Sequence, residues 1–309
     1  MISRYEFEIL CYVERNGPVA DSDRETANEL CLSWSAVAEA TARLKGLSFL
    51  KSDGESLCIT PRGVEALAPF RAERAVILAA GFGSRMMPAT ADRPKPMVSV
   101  NGVRILDTLL DALVGAGIRD ITVVGGYCFE KLKELLVKYP FLRLIENRDY
   151  ACTNNISSAL LARDQLHGGC YLCEADLYIA DPGIITKYQY ASNILGSYSM
   201  ETDDWSFRMK DGCVDDYRKG NTYCYNYYGI SYWTAEDCEK LNRDFAEVFE
   251  SPGGKDLFWE FIPFVVKKEN YRVEIRPCSK RSIMEIDNYY ELAQLDAGYR
   301  VKENKNEML

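Results

Sequence analysis

A pair of glycines stands in the first third of the 309-residue sequence, and two basic residues follow it. Gly81 and Gly83 are one residue apart, and Arg85 and Lys95 come next. Such glycines let backbone N–H groups approach a polyanion, and two cations would suit one triphosphate. The loop lacks the Gly-Lys-Ser/Thr of a Walker loop, and Met86 replaces the third glycine of the dinucleotide motif. The glycine spacing alone is weak evidence, because an ordinary turn between strand and helix can also contain it.

Two pairs of carboxylates lie far apart in the chain, each at a strand-like stretch. Glu174 and Asp176 end a predicted strand, at the edge where α/β sheets bind ligands. Glu285 and Asp287 share one face of a later stretch, because side chains alternate along a strand. Mg²⁺ binds a few carboxylates together with phosphate oxygens and water. These residues are therefore candidates for a magnesium site, and the alternative for Asp287 is that it caps the last predicted helix.

Residues 198–233 contain ten aromatic residues, well above the 12% average of the chain. Acidic residues such as Asp203 and Asp204 are interleaved with them. Aromatic faces and carboxylates together suit an amine or a quaternary ammonium, through cation–π attraction of about 1–2 kcal/mol in a desolvated site. The alternative is packing within a β-sheet, since Tyr and Trp favour strands.

Composition excludes several classes of protein. The net charge of −9 argues against a large nucleic-acid footprint. The single histidine, His167, makes a Ser-His-Asp or Cys-His mechanism improbable. The eleven cysteines are an odd number, and without an export signal they indicate reduced thiols and a cytoplasmic protein. Since the sequence has no apolar run of about 18 residues, we expect no membrane association.

Alternating strands and helices must position these groups. The predicted strands are Ala75–Ala80, Ile121–Gly125, Leu142–Ile145 and Cys170–Ala175. The predicted helices between them are Ile105–Ala116, Phe129–Lys138 and Asn155–Asp164. This alternation predicts an α/β domain over residues 73–309, with a doubly wound, mixed but mostly parallel, Rossmann-like sheet.

Residues 1–72 have a different pattern: three helices, a β-hairpin near Asp53 and Gly54, and a further helix that begins at Pro61. This order resembles a winged helix-turn-helix domain, which implies DNA binding. The alternative is a small interaction or dimerisation module, which leaves a homodimer open. Residues 1–73 contain 8 Lys and Arg against 12 Asp and Glu. Since affinity for DNA comes largely from phosphate neutralisation by basic residues, DNA binding through residues 1–72 is disfavoured.

The segment from Leu78 to Arg85, followed by Pro94-Lys95-Pro96-Met97, resembles the signature of nucleotidyltransferases, which use a nucleoside triphosphate and release pyrophosphate. The resemblance implies that Arg85 contacts the β- and γ-phosphates and that Lys95 neutralises charge on the α-phosphate. It also implies nine nucleotide-binding residues: Leu78, Ala79, Ala80, Gly81, Gly83, Ser84, Gly126, Asn155 and Ser158. The alternative for Asn155 is that it only caps a helix. The same resemblance makes Asp176 and Asp287 ligands of Mg²⁺, with Glu285 a less certain third.

Four later segments resemble bacterial phosphocholine cytidylyltransferases, so that the resemblance covers residues 74–300. These segments are 202–207, 228–233, 256–259 and 283–287. The resemblance implies transfer of CMP from CTP to phosphocholine, with Asp176, Arg85 and Lys95 as catalytic residues. The residues chosen for the cationic head are Tyr178, Trp205, Tyr232 and Trp259.

Two alternatives remain at this stage. One is a different acceptor, namely 2-aminoethylphosphonate, phosphoethanolamine or a sugar 1-phosphate. The other is a transcription regulator that senses a ligand through its transferase domain, against which the intact Arg85, Lys95, Asp176 and Asp287 argue.

Overall fold

The computed structural model describes residues 1–300, which form two compact units. The smaller unit comprises residues 1–71 together with 188–190, and the larger comprises residues 72–187 and the chain from 191 onward. The predicted division lies between residues 72 and 73, and no pattern in the sequence predicts that residues 188–190 join the smaller unit. Within residues 1–300, no helix combines the length and apolar character needed to cross a membrane.

The smaller unit consists of four helices and a three-stranded antiparallel sheet. Its elements are α1 (Arg4–Asn16), β1 (Val19–Ala20), α2 (Asp23–Leu30), α3 (Trp34–Gly46), β2 (Leu50–Asp53), β3 (Ser56–Ile59) and α4 (Pro61–Leu67). The strands are in the order β1-β3-β2. Ser22 and Ser33 accept hydrogen bonds at the starts of α2 and α3, as their sequence positions predict. The short strand β1 was not predicted, since its two residues carry no periodic signal.

The core of the smaller unit includes residues from the distant segment 188–190. The ring of Tyr190 stacks on Phe70 at 5.4 Å between centroids and lies 5.3 Å from Phe7. Tyr188 is buried in the same core, and Gln189 donates a backbone hydrogen bond to the carbonyl of Phe70. This unit is therefore assembled from two parts of the chain.

The basic residues at the end of α3, the predicted recognition helix, form ion pairs within the smaller unit. Arg43 Nε lies 3.2 Å from Glu6 Oε1, and Lys45 Nζ lies 2.7 Å from Asp21 Oδ1. Binding of Arg43 or Lys45 to a DNA phosphate would have to compete with these carboxylates, and with the excess of acidic residues in the unit.

We therefore predict that the full-length protein shows no salt-sensitive DNA binding at micromolar concentration, because phosphate contacts dominate such affinity. A gel-shift assay with mixed-sequence duplex DNA at two salt concentrations measures this. A shift that weakens with salt and is lost in Arg43→Ala would contradict the prediction.

The larger unit contains a seven-stranded mixed sheet with helices on both sides. Its strands are β4 (Arg74–Ala79), β5 (Ser99–Val100), β6 (Val103–Arg104), β7 (Asp120–Gly125), β8 (Arg143–Glu146), β9 (Cys170–Glu174), β10 (Leu177–Ile179), β11 (Asn193–Lys210), β12 (Cys213–Trp233), β13 (Glu274–Pro277) and β14 (Ile283–Glu285). Its helices are α5 (Ile105–Gly115), α6 (Phe129–Leu132), α7 (Leu135–Lys138), α8 (Ile156–Leu161), α9 (Ala235–Phe249) and α10 (Tyr289–Leu295). The large sheet has the order β11-β13-β12-β9-β4-β7-β8.

Strand β4 lies inside this sheet and is parallel to both of its neighbours, β7 and β9. Its successive residues point into two different hydrophobic clusters. Ile77 packs in the cluster that includes α5, and Val76 packs in the cluster that includes α8 and α9. Burial on both faces explains why the strand is a continuous apolar run in the sequence. The predicted α/β class is confirmed by this arrangement.

One predicted helix differs in detail. Residues 129–138 form two short helices, α6 and α7, instead of one. At Lys133 and Glu134 the backbone N–H groups bond to the carbonyls three residues earlier. This tighter turn interrupts the α-helical pattern while Leu132 and Leu135 both stay buried.

Candidate active site

A cavity of about 700 Å³ opens at the carboxyl ends of the parallel strands, where open α/β sheets bind ligands. It is lined by the loop after β4, the residues after β8, the start of α8 and the end of β9. Eight of the nine predicted nucleotide-binding residues line it: Leu78, Ala79, Ala80, Gly81, Gly83, Ser84, Asn155 and Ser158. The three predicted catalytic residues, Arg85, Lys95 and Asp176, line it as well.

The glycine loop has a conformation that requires glycine at one position. Gly83 has φ +61°, and a Cβ atom there would lie 2.9 Å from Cβ of Lys95. Its carbonyl accepts a hydrogen bond from Thr90 Oγ1 at 2.9 Å. Gly83 thus permits both the left-handed turn and the close approach of Lys95.

Lys95 lies at the centre of a charged cluster. Its Nζ is 2.9 Å from Asp176 Oδ2 and 3.3 Å from Asp287 Oδ1. Arg85 Nη1 is 3.0 Å from Asp287 Oδ2. Burial lowers the pKa of Lys95, but the two carboxylates raise it by more, so the net shift is upward and the lysine is charged at neutral pH.

Pairing of β10 with β14 brings the two carboxylate segments together, with Leu177 opposite Glu285. Asp176, Glu285 and Asp287 then each offer an oxygen within 4.8 Å of the others. Asp176 Oδ1 is buried and has no hydrogen-bond partner among residues 1–300. Burial, together with the two aspartates, raises the pKa of Glu285 to about 8. An excess of carboxylate charge and an unpartnered buried oxygen fit a divalent cation.

The alternative role for Asp287, as a helix cap, is wrong. Asn288 is the N-cap residue of α10, and its side chain accepts from the backbone of Glu291. Asp287 instead donates its own backbone N–H to Glu291 Oε2 at 2.7 Å. Its carboxylate is therefore directed to Arg85 and Lys95.

Asn155 precedes α8, but its side chain makes no capping hydrogen bond. It donates from Nδ2 to Glu174 Oε1 at 3.3 Å and accepts at Oδ1 from the backbone of Trp259 at 2.8 Å. The buried Ser158 accepts from Asn147 Nδ2 at 2.9 Å. The interpretation of Asn155 as a mere cap is therefore also wrong.

Gly126 does not itself line the cavity, but its lack of a side chain leaves space for Tyr150, which does. A Cβ atom at this position would lie 2.6 Å from Tyr150 Cγ. The Tyr150 ring lines the cavity, together with Phe82 at 5.0 Å between ring centroids. Neither ring was predicted, because each stands in a loop without a recognisable spacing.

The four residues predicted for a cationic head are not brought together. Trp259 and Tyr232 are 0% and 2% exposed, and each makes an edge contact to another aromatic ring of the core. Tyr178 packs in a cluster beside β14. None of the three lines the cavity, and a contact between them and the acceptor stays a prediction.

Trp205 belongs to an aromatic group close to the cavity. Its ring stacks on Tyr217 at 5.1 Å and meets Phe261 at 5.5 Å edge-on. The ring of Phe258, 6.1 Å from Trp205, lines the cavity.

Two glutamates adjoin this aromatic group, the half-buried Glu174 and the buried Glu260, and sequence reasoning gave neither a role in acceptor binding. Glu260 is 2% exposed, and its Oε1 accepts from the Tyr227 hydroxyl at 2.7 Å. Its Oε2 receives no donor from the described residues other than the neighbouring Glu174 carboxyl. Glu174 lines the cavity. Burial and the adjacent Glu260 raise the pKa of Glu174 well above its ordinary value, and the same two glutamates contribute to the raised pKa of Tyr217. The carboxyl groups and the aromatic rings therefore form one buried acidic and aromatic region.

Comparison with known proteins agrees with this architecture. Residues 75–192 match the model of the MobA-like NTP transferase domain. The chain is 38% identical to a 2-aminoethylphosphonate cytidylyltransferase of Lancefieldella rimae, over 73% of this chain and 92% of that protein. It is 29% identical to a choline-phosphate cytidylyltransferase of Streptococcus pneumoniae, over 72% of this chain and 96% of that protein. A solved structure of a CTP:phosphocholine cytidylyltransferase from Streptococcus pneumoniae superposes with a TM-score of 0.68, at 29% identity, over 74% of this chain and all of that chain.

The fold, the glycine loop and the carboxylate cluster define an enzyme that transfers a nucleotidyl group. The chain belongs to the family of MobA-like nucleoside triphosphate transferases. Within that family its relatives over most of the larger unit are cytidylyltransferases, and its activity is of the same type.

Proposed function

We propose that the enzyme transfers CMP from CTP to 2-aminoethylphosphonate and releases pyrophosphate. The observation that carries the choice of acceptor is the pair of adjacent carboxyl groups of Glu174 and Glu260, in which Glu260 Oε2 receives no donor from the described residues other than Glu174 itself. Buried carboxyl oxygens without donors are costly, and a primary ammonium supplies three N–H donors and a positive charge. The relative that accepts this phosphonate is also more similar in sequence than the choline-phosphate enzyme.

Phosphocholine is the second candidate acceptor. The aromatic group around Trp205 and Tyr217 favours it, because aromatic faces attract quaternary ammonium ions. A quaternary ammonium has no N–H to donate, however, and a site built around hydrogen-bond acceptors discriminates against a ligand without donors. Glu174 and Glu260 therefore favour the primary amine.

The acceptor's phosphonate is the nucleophile in this proposal. One of its oxygens attacks the α-phosphorus of CTP, and the bond from that phosphorus to the bridging oxygen of pyrophosphate breaks. The phosphonate is anionic near neutral pH, so no general base is required, in keeping with a sequence that contains one histidine. Catalysis is then positioning and electrostatic stabilisation.

The cations of the cluster are placed for that stabilisation. Lys95, which is buried between Asp176 and Asp287, would neutralise charge on the α-phosphate. The more exposed Arg85 would contact the β- and γ-phosphates, which leave as pyrophosphate. Their positive charge is held in place before CTP arrives, and preorganised charge of this kind lowers a barrier effectively.

Asp176 and Asp287, with Glu285, would hold a Mg²⁺ ion. Their oxygens lie within 4.8 Å of one another, and the unpartnered Oδ1 of Asp176 is one of the positions for it. When bound, the ion would supply positive charge to the phosphates.

Pyrophosphate release with Mg²⁺ tests this proposal. CTP, UTP, GTP and ATP are crossed with 2-aminoethylphosphonate, phosphocholine, phosphoethanolamine and glucose 1-phosphate. We expect turnover with CTP, with 2-aminoethylphosphonate giving the highest kcat/KM. A higher kcat/KM for phosphocholine would replace the proposed acceptor, and a lack of turnover with any pair would contradict the proposed reaction.

A further inference from the structure

Two consecutive asparagines form hydrogen bonds that link one segment of the chain to the nucleotide side of the cavity. The segment is residues 255–260, termed here the 255–260 segment. The backbone N–H of Asn154 donates to the carbonyl of Lys255 at 2.8 Å, and its side chain donates to the carbonyl of Asp256 at 3.1 Å. Asn155 Oδ1 accepts from the backbone N–H of Trp259 at 2.8 Å. Three hydrogen bonds thus join residues about one hundred positions apart.

These hydrogen bonds join two sets of residues that have candidate functions. Asn154 and Asn155 line the cavity, beside the glycine loop. The 255–260 segment carries Phe258, which lines the cavity, and Glu260, the proposed partner of the acceptor's amine. Asn155 also donates to Glu174, so one amide group contacts both the segment and the second glutamate.

We propose that Asn154 and Asn155 are positioning residues that couple the nucleotide side of the cavity to the acceptor side. Nucleotide that packs against the two asparagines restricts their movement. The hydrogen bonds to the 255–260 segment then hold Phe258 and Glu260 in the position that receives the acceptor. The acceptor should therefore bind more tightly after CTP than before it, and the location of the acceptor at Glu260 rests on the proposed function above.

The surrounding contacts favour this role over a purely local one. The side chain of Asn155 uses both its donor and its acceptor on other parts of the protein, Glu174 and the backbone of Trp259. The Trp259 ring is held in the core by Trp233 and Phe245. Asn154 thus holds the segment at Lys255 and Asp256. Asn155 and the buried ring hold it at Trp259, and Phe258 lies at the cavity between these two points.

Two variants test the coupling. Asn155→Ala removes the bonds to Glu174 and Trp259, and Asn154→Ala removes the side-chain bond to Asp256. We expect the KM for 2-aminoethylphosphonate to rise about tenfold in Asn155→Ala, since each of the two lost hydrogen bonds contributes a factor of a few, and to rise clearly more than the KM for CTP. In Asn154→Ala the KM for 2-aminoethylphosphonate should also rise more than the KM for CTP, but by a smaller factor. The exposed Asn28, in the smaller unit, provides the control variant Asn28→Ala, for which neither KM should change.

A second measurement does not depend on the acceptor. Hydrogen–deuterium exchange of a peptide covering residues 255–261 should slow when CTP and Mg²⁺ bind the wild-type protein, and should not slow in Asn155→Ala. An equal rise in both KM values, or a loss of CTP binding alone, would identify Asn155 as a nucleotide ligand and overturn the coupling. Exchange that responds equally to CTP in both proteins would also overturn it. If wild type shows this CTP-dependent protection but no turnover of 2-aminoethylphosphonate, the proposed acceptor fails and the coupling stands.

Discussion

Replacing Asp176 with asparagine is expected to lower kcat/KM for CTP by at least a factor of about 1000, equivalent to roughly 4 kcal/mol of transition-state stabilisation. Asp176 contacts Lys95 at 2.9 Å and offers a buried, unpartnered oxygen to a cation. Asparagine has nearly the same shape but no charge. The variant should therefore fold normally, lose affinity for Mg²⁺ and leave Lys95 less well positioned. Steady-state pyrophosphate release over a range of Mg²⁺ concentrations measures the effect.

The control for this change is Asp164→Asn, because the Asp164 side chain is 87% exposed and does not line the cavity. Its kinetics should match those of the wild type. Thermal unfolding of both variants separates loss of activity from loss of structure. Asp176→Asn with more than about a tenth of the wild-type rate, which corresponds to less than about 1.4 kcal/mol, would refute the proposed metal site.

Replacing Glu260 with glutamine is expected to lower kcat/KM for 2-aminoethylphosphonate about 100-fold, a typical cost for losing one partner of a desolvated charge pair. The KM for CTP should stay within about a factor of three of the wild-type value, because Glu260 is not among the lining residues of the nucleotide cavity. Glutamine keeps an oxygen that can accept from the Tyr227 hydroxyl. The change therefore removes charge while it preserves shape.

An acceptor without the amine provides the sharpest control for Glu260→Gln. Ethylphosphonate should be a poor substrate of the wild type, and its kcat/KM should be nearly the same in the variant, since it has no ammonium for Glu260 to contact. The exposed Glu239 supplies the matched variant Glu239→Gln, which should behave like the wild type. If Glu260→Gln reduces the rates with both phosphonates equally, Glu260 has a structural role and does not recognise the amine.

The fold and half of the site could be predicted because their signals are local. The apolar run of β4 and the glycines after it are contiguous, and parallel topology then places neighbouring strand ends at one edge. The carboxylates Asp176 and Asp287 could be chosen as candidates because each closely follows a strand, and their role as metal ligands stays a prediction. Their meeting depends on the pairing of β10 with β14, which the order of elements does not reveal.

The acceptor side could not be predicted in the same way. Aromatic enrichment at the end of β12 has a structural origin, because both faces of the strand are covered there: Tyr232 is buried on one side and Trp233 on the other. Composition cannot tell such core residues from pocket residues. Glu260, whose partner Tyr227 lies 33 positions away, carries no spacing signal. A pairing of this kind appears only when the chain is folded.

The core of the smaller unit is built from two distant parts of the chain, and this affects how the unit folds during synthesis. Residues 1–71 leave the ribosome first, but Tyr188 and Tyr190, which complete their core, are translated more than one hundred residues later. At bacterial synthesis rates this is a delay on the order of 10 s. During that interval Phe7 and Phe70, whose rings lie 5.0 Å apart, lack the Tyr190 ring that packs on both of them, and the nascent chain presents them to chaperones or to solvent. The amino-terminal unit therefore reaches its final form only after four of the seven strands of the central sheet have been synthesised, so that the order of folding is not the order of translation.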